Sequence, residues 1–226
     1  EKKYLLEIID STFVSSVGPY VDQFETMMSK ITETQKAVAV VNGSAGIQVA
    51  LRLAGVQSGD EVITQALTFV ATANAIVYNG ASPIFIDVDL DTMGLSPKAV
   101  ENFLLENGEL REEQCYNKKT GKKISACLPM HTFGFPVHLD ELIAVCDTWK
   151  IPVVEDDAES MGSLYKGRPT GSIGKLGVFS FNGNKIVPCG GGGAIVNNDL
   201  EMGENGRYLT TSATIPHHSE DVNDAI

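Results

Sequence analysis

Short β-branched and apolar runs alternate along this chain with longer stretches whose apolar positions recur at helical spacing. The first pattern predicts strands at Ala37–Val41, Glu61–Thr64, Pro83–Ile86, Ile124–Met130, Ile151–Glu155, Gly177–Phe181 and Ala194–Asn197. The second predicts helices at Ala45–Ala54, Phe69–Tyr78, Pro97–Glu106 and Asp140–Lys150, with Ser44, Thr68, Ser96 and Asp140 as the capping residues. Strands alternating with helices require crossovers, so an α/β fold is expected, with a mostly parallel sheet covered on both faces. Gly177–Phe181 and Ala194–Asn197 are joined by a short glycine-rich loop without a helix, which predicts one antiparallel pairing. The polar segment Asn107–Lys123 reads as a surface excursion without structure of its own. No repeat, linker or low-complexity stretch divides the chain, and one domain over 1–226 is expected.

Composition narrows the function classes. The 226 residues are 43% hydrophobic and 20% charged, enough for one large domain with a buried core. A formal net charge of −12 gives no basic face for nucleic acid. No run of ~18 apolar residues is present to span a membrane, and Glu1–Tyr4 does not open a signal peptide. A cytoplasmic location is expected. The first residue is Glu1, which points to a start inside a longer protein. Cys115, Cys127, Cys146 and Cys189 form no CxxC pair, and His131, His138, His217 and His218 lack metal-ligand spacing, so reduced thiols and no metal are expected.

Four places carry candidate chemistry, each at a strand end, where open α/β sheets bind ligands. Asn42-Gly43-Ser44-Ala45-Gly46 follows a strand and opens a helix. Small residues and free N–H groups there suit a phosphate, and they equally suit a plain capped turn. In Val153–Ser160 an apolar strand runs into acids, placing Asp156 where a carboxylate can hold a pyridine nitrogen protonated, or where it simply caps a helix. Phe179-Ser180-Phe181-Asn182-Gly183-Asn184-Lys185 puts a lysine on a tight, apolar-walled loop, suited to a Schiff base or to an exposed hairpin, and Ser180 can reach the same phosphate as Ser44. Gly190–Gly193, with no helix after it, reads as a close backbone passage beside a ligand. Phe69, at a helix start, can stack on a flat ring or belong to the core.

Taken in chain order, these segments resemble the DegT/DnrJ/StrS family of pyridoxal-phosphate (PLP) sugar aminotransferases. The resemblance runs from Phe13–Gly18 to Thr210-Thr211 and is most specific at Met130–Pro136, Glu155–Ser163 and Phe179–Lys185 with its glycine run. FNGNKI followed by GGGG, and TQALTFVATANAI, look most like the branch that aminates UDP-linked 4-keto-6-deoxy-N-acetylhexosamines for bacillosamine- and legionaminic-acid-type glycans. The resemblance implies the large domain of PLP-transferase fold type I, a mostly parallel seven-stranded sheet with one antiparallel strand. It implies that Lys185 is the catalytic Schiff-base lysine and that Asp156 pairs with the pyridinium nitrogen. Phe69 stacks on the ring; Ser44, the Ala45 N–H and Ser180 hold the phosphate; Glu159 lies by the ring and its hydroxyl. The implied partners are an amino-acid donor, usually glutamate, a nucleotide-linked keto-sugar, and a second subunit of a homodimer.

The chain departs from the family in three respects. Asp157 stands where a small residue is usual, so it must either perturb Asp156 or point away. Pro188-Cys189 replaces a Thr-rich approach to the glycines and removes a backbone donor. The family's C-terminal small domain has no counterpart here, and the final SEDVNDAI no longer looks like the family. An alternative reading is therefore a truncated relative that binds PLP or a partner without turnover. Dehydratase relatives replace the lysine with histidine, which Lys185 argues against, and a nicotinamide dehydrogenase lacks its glycine fingerprint.

Overall fold

The computed structural model describes residues 1–12 and 14–211. Phe13, His217, His218 and the terminal SEDVNDAI lie outside the described residues. The chain opens with helices α1 (Lys2–Asp10) and α2 (Pro19–Thr32), followed by β1 (Lys36–Val40), α3 (Gly43–Ala54), β2 (Glu61–Gln65), α4 (Val70–Tyr78) and β3 (Ser82–Ile86). It continues through α5 (Pro97–Asn107), β4 (Gly108–Arg111), β5 (Gln114–Asn117), β6 (Ile124–Leu128), α6 (Leu139–Thr148) and β7 (Val154–Asp156). The small ribbon β8 (Leu164–Tyr165) and β9 (Arg168–Pro169), then β10 (Leu176–Ser180), β11 (Gly193–Asn197) and α7 (Leu200–Thr210), follow among the described residues.

Four strands in the order β1-β11-β10-β7 and three in the order β3-β2-β6 meet along β6 and β7. That seam is parallel: Cys127 pairs with Val153 and Met130 with Asp156. Cys127 N donates to Pro152 O and Asp156 N to Pro129 O, both at 2.9 Å. The result is the expected seven-stranded sheet. Its antiparallel member is β11, paired with β10 (Gly177 opposite Val196) and with β1 (Lys36 opposite Asn197).

Side chains alternate across the pleat, so each central strand feeds two cores. Val62, Leu128, Val154, Val178 and Ile195 pack under α3, α4 and α7. Ile63, Cys127 and Val153 pack under α5 and α6. On that second face α2 covers the β1–β11 end with Met28, and Phe24 meets Phe181 edge-to-face at 5.4 Å. Buried Glu25 accepts Ala39 N at 2.8 Å and pairs with Arg207, tying α2 to β1 and α7.

Three expectations need correction. Asn107–Lys123 is not structureless: β4 and β5 form a hairpin with Cys115 buried, and Asn117 Nδ2 donates to Glu61 Oε2 at 2.9 Å. Asn42, not Ser44, caps α3, because its Oδ1 accepts Ala45 N at 2.8 Å. Thr68 and Asp140 cap nothing. Phe69 and His138 hold the N-cap positions of α4 and α6, and Asp140 instead pairs with Lys166 and Arg168. Ser96 caps α5 as expected, accepting Ala99 N at 3.3 Å.

Candidate active site

The carboxyl ends of β1, β6, β7 and β10 open into a cavity of about 260 Å³. Ser44, Phe69, Asp156, Ser180 and Lys185 all line it. Residues more than a hundred positions apart thus converge because their strands run parallel and end together.

Asp156 forms the floor at 2% exposure. Its Oδ2 accepts Thr72 Oγ1 at 2.7 Å and its Oδ1 accepts Ala158 N at 3.2 Å. Burial raises its pKa above the ordinary carboxylate value, against the opposing pull of those two donors and of the Lys185 charge. A cation brought against it would restore the anion.

Lys185 reaches in from the loop after β10, where Lys185 N donates to Asn182 O at 2.9 Å in a tight turn. Its side chain is only 9% exposed, and Nζ lies 3.3 Å from Glu159 Oε1 and 5.3 Å from the Phe69 ring centroid. The other Glu159 oxygen accepts Phe133 N at 2.9 Å, so the carboxylate is aimed from two sides. Phe133 takes a left-handed φ of 53° to make that contact.

At the opposite wall α3 begins. Gly43 lies so close to β10 that a Cβ there would fall 2.8 Å from Ser180 Cβ. Gly43 and Ser44, at the helix start, have N–H groups without an intrahelical partner, and both line the cavity. The Ala45 N–H donates to Asn42 Oδ1 at 2.8 Å.

None of Gly190–Gly193 lines the cavity. Gly193 instead allows β11 to close on its neighbours, since a Cβ would sit 2.7 Å from Phe179 O. Pro188 is also clear of the cavity wall, and Cys189 N is satisfied by Phe181 O at 2.9 Å. Asp157 points away from the cavity, into the opposite face with Glu155 and His131. Thr72 and Met130 line the site without having been singled out for it. The spacing of Thr72 four residues after Thr68, at the start of a helix, was the available signal.

This fold and site belong to a known class. The sequence matches the DegT/DnrJ/EryC1/StrS aminotransferase family over residues 1–220, and the chain belongs to that family. Among its relatives is EpsN of Bacillus subtilis (strain 168), named provisionally as a pyridoxal phosphate-dependent aminotransferase. It is 40% identical over 224 residues, 97% of this chain and 55% of that protein. GDP-perosamine synthase of Escherichia coli O157:H7 is 37% identical over 89% of this chain and 51% of its own length. Among solved structures, DesI, crystallised in the presence of its TDP-sugar product, superposes with a TM-score of 0.80 at 32% identity, covering 92% of this chain and 48% of DesI. The chain thus spans about half the length of the curated relatives it matches. The family's cofactor is PLP, and its fold is the type I transferase fold seen here.

Proposed function

We propose that the protein to which this chain belongs is an aminotransferase that moves an amino group from an amino acid, L-glutamate, to a nucleotide-linked 4-keto-6-deoxy sugar. The observation that carries the reading is the convergence of a buried lysine amine, a buried carboxylate and an exposed aromatic ring on one cavity.

The residues fit PLP as a group. Asp156 faces inward with two donors behind it, so it can hold a ring nitrogen protonated. Phe69 is 54% exposed and offers a stacking face. Gly43 and Ser44 provide a helix N-terminus for the phosphate, with Ser180 directly opposite. PLP, when bound, supplies an electron sink for the bonds at the substrate carbon. Lys185 Nζ then takes and returns the proton at that carbon, and Glu159 holds Nζ in place.

The UDP-linked N-acetylhexosamine branch is the preferred sugar class, on the FNGNKI and TQALTFVATANAI segments. A homodimer is the preferred assembly, supported by apolar side chains left exposed beside the site: Phe133 at 77%, Phe135 at 63% and Val70 at 61%. A second reading is a chain that binds PLP without turnover. PLP added to purified protein should give the yellow colour of a lysine-linked pyridoxal, and Lys185→Ala should abolish it. Colour that glutamate fails to bleach would favour the second reading; no colour would reject the cofactor assignment. UDP-, GDP- and TDP-linked keto-sugars, tested in parallel, then decide the substrate.

A further inference from the structure

Strand β7 ends in Glu155 and Asp156, Asp157 follows it directly, and of the three only Asp156 faces the cavity. Glu155 and Asp157 are both fully buried on the other face. His131 stands between them, with Nε2 3.1 Å from Glu155 Oε2 and 3.5 Å from Asp157 Oδ1. Two carboxylates sharing a dry site do not both ionise.

Hydrogen bonding decides which one carries the charge. Glu155 accepts the N–H groups of Gly171 and Ile173 at 2.9 Å and of Gly174 at 2.6 Å, besides His131. Burial works against its charge, but His131 and these N–H groups prevail and hold its pKa below the ordinary value. Asp157 receives Ser160 Oγ on Oδ1 at 2.8 Å, while its Oδ2 has no hydrogen-bond partner. An anion there would leave buried lone pairs unmet. Burial opposes a charge on His131 while the acids around it raise its pKa, and together with Thr170 it offsets the cost of a charge on Asp157 only in part. The imidazole Nδ1 accepts Val137 N at 3.2 Å, so the ring's proton sits on Nε2, where it serves Glu155. The remaining segments against Asp157, β10 and Thr170–Gly171, bring no titratable group.

There is no room to hydrate a charge either. A Cβ on Gly171 would lie 2.8 Å from Asp157 Oδ2 and 2.7 Å from the Phe179 ring. The same residue anchors the turn beside the cavity. Asp157 N donates to Val178 O at 2.9 Å, Ser160 N donates to Asp157 O at 3.1 Å, and Ser160 Oγ is backed by Thr170 Oγ1 at 3.0 Å. That turn follows directly on Asp156 and carries Glu159 within it.

We propose that Asp157 is a positioning residue, stored as the neutral acid, whose lack of charge lets the 157–160 turn stay packed against Gly171 and Phe179, so that Asp156 faces the cavity and Glu159 faces Lys185. Ionisation would open the turn toward water, withdrawing Asp156 from the cavity and Glu159 from Lys185. The proposal rests on the reading of the cavity as the PLP site.

The test compares PLP binding by the wild-type chain and Asp157→Asn across pH, read by absorbance and by quenching of Trp149 fluorescence. Burial, with the Glu155 charge adding to it, places Asp157 at about 8. If only the protonated form binds, the competent fraction near pH 9 is about a tenth, and the wild-type Kd rises about tenfold relative to the amide variant. Parallel profiles in two proteins that do bind PLP would overturn the positioning role alone. Failure of both to bind at any pH would overturn the cavity assignment and this role together. Should the variant not fold, infrared spectra of wild-type protein labelled with 13C-aspartate serve instead. A protonated carboxyl band at neutral pH that disappears on alkaline titration, in step with PLP affinity, is expected, and its absence at neutral pH sinks the proposal.

Discussion

Thr72 Oγ1 donates to Asp156 Oδ2 at 2.7 Å, and the same oxygen receives Thr68 Oγ1 at 2.9 Å. Thr68, just before the N-cap of α4, and Thr72 in its first turn thus form a short relay ending on the acid assigned to the pyridine nitrogen. The relay steadies the anionic form of a carboxylate that burial otherwise raises. Thr72→Val should remove that support while keeping the shape. Hydrogen bonds to charged groups contribute about 1.5–3 kcal/mol, so PLP affinity should fall roughly 10- to 100-fold. An unchanged affinity in a direct titration would mean that Asp156 does not depend on Thr72.

Two glycines of α3 separate stability from binding. A Cβ on Gly46 would lie 2.7 Å from Val178 Cγ1 and 3.2 Å from Val40 Cγ2, inside the core. Gly46→Ala should cost about 1–3 kcal/mol of overpacking, lowering Tm by roughly 2–10 °C in a chain of this size. Gly43→Ala presses instead on Ser180, so weaker PLP binding should exceed its effect on Tm. Calorimetry with and without PLP distinguishes the two.

The raised pKa of Asp157 also makes stability depend on pH in a definite direction. Its folded value of about 8 lies above its ordinary value of 3.8. Below about pH 4 both folded and unfolded chains hold the proton, and the stabilisation is fully present. As pH rises toward 8 the unfolded chain has released the proton and the folded chain has not, so stability is progressively lost. Asp157→Asn removes that loss. Urea midpoints of the two proteins should therefore diverge in favour of the variant between about pH 4 and 8 and then run parallel.

Thiol chemistry gives a simple check on the packing. Cys115, Cys127 and Cys146 are buried and Cys189 is exposed. Burial pushes the Cys115 thiol up to about 11, and the neighbouring Cys146 sulfur together with burial raises Cys127 well above the ordinary value. Thiolate character and access both govern reactivity. A thiol reagent should modify one cysteine per native chain, Cys189, and all four after denaturation; a second fast-reacting thiol in native protein would contradict the core described for α6 and β6.

The sheet was legible because β-branched runs such as Ala37–Val41 have few other uses, and the glycine-rich link made the β10–β11 pairing plain. The helices α1, α2 and α7 were not. Helix α1 buries none of its residues, so its apolar positions report no packing partner. Helix α7 contains Gly203 and Gly206, which argue against a helix on propensity, yet Gly203 is where Lys36 of β1 packs against it. The β4–β5 hairpin is mostly polar, seated by buried Cys115 and by the buried amide of Asn117 on Glu61. In the site, Lys185, Asp156, Phe69, Ser44 and Ser180 fall together as the motif order implied. Thr72 and the Glu159–Phe133 contact were hidden, since a hydrogen bond between distant segments leaves no periodicity.

The end of β7 bears on how this sequence can change. Glu155, Asp156 and Asp157 are chemically near-identical neighbours, and only the pleat gives each its own surroundings. A one-residue deletion within Ile151–Val154 would shift the reading frame of the pleat by half a period. It would offer the cavity an acid meant for the interior and seal Asp156 against His131. Gradual substitution along this strand is therefore open to selection, while insertions and deletions are closed, and a homologue of altered length here would need its whole acid triplet rewritten.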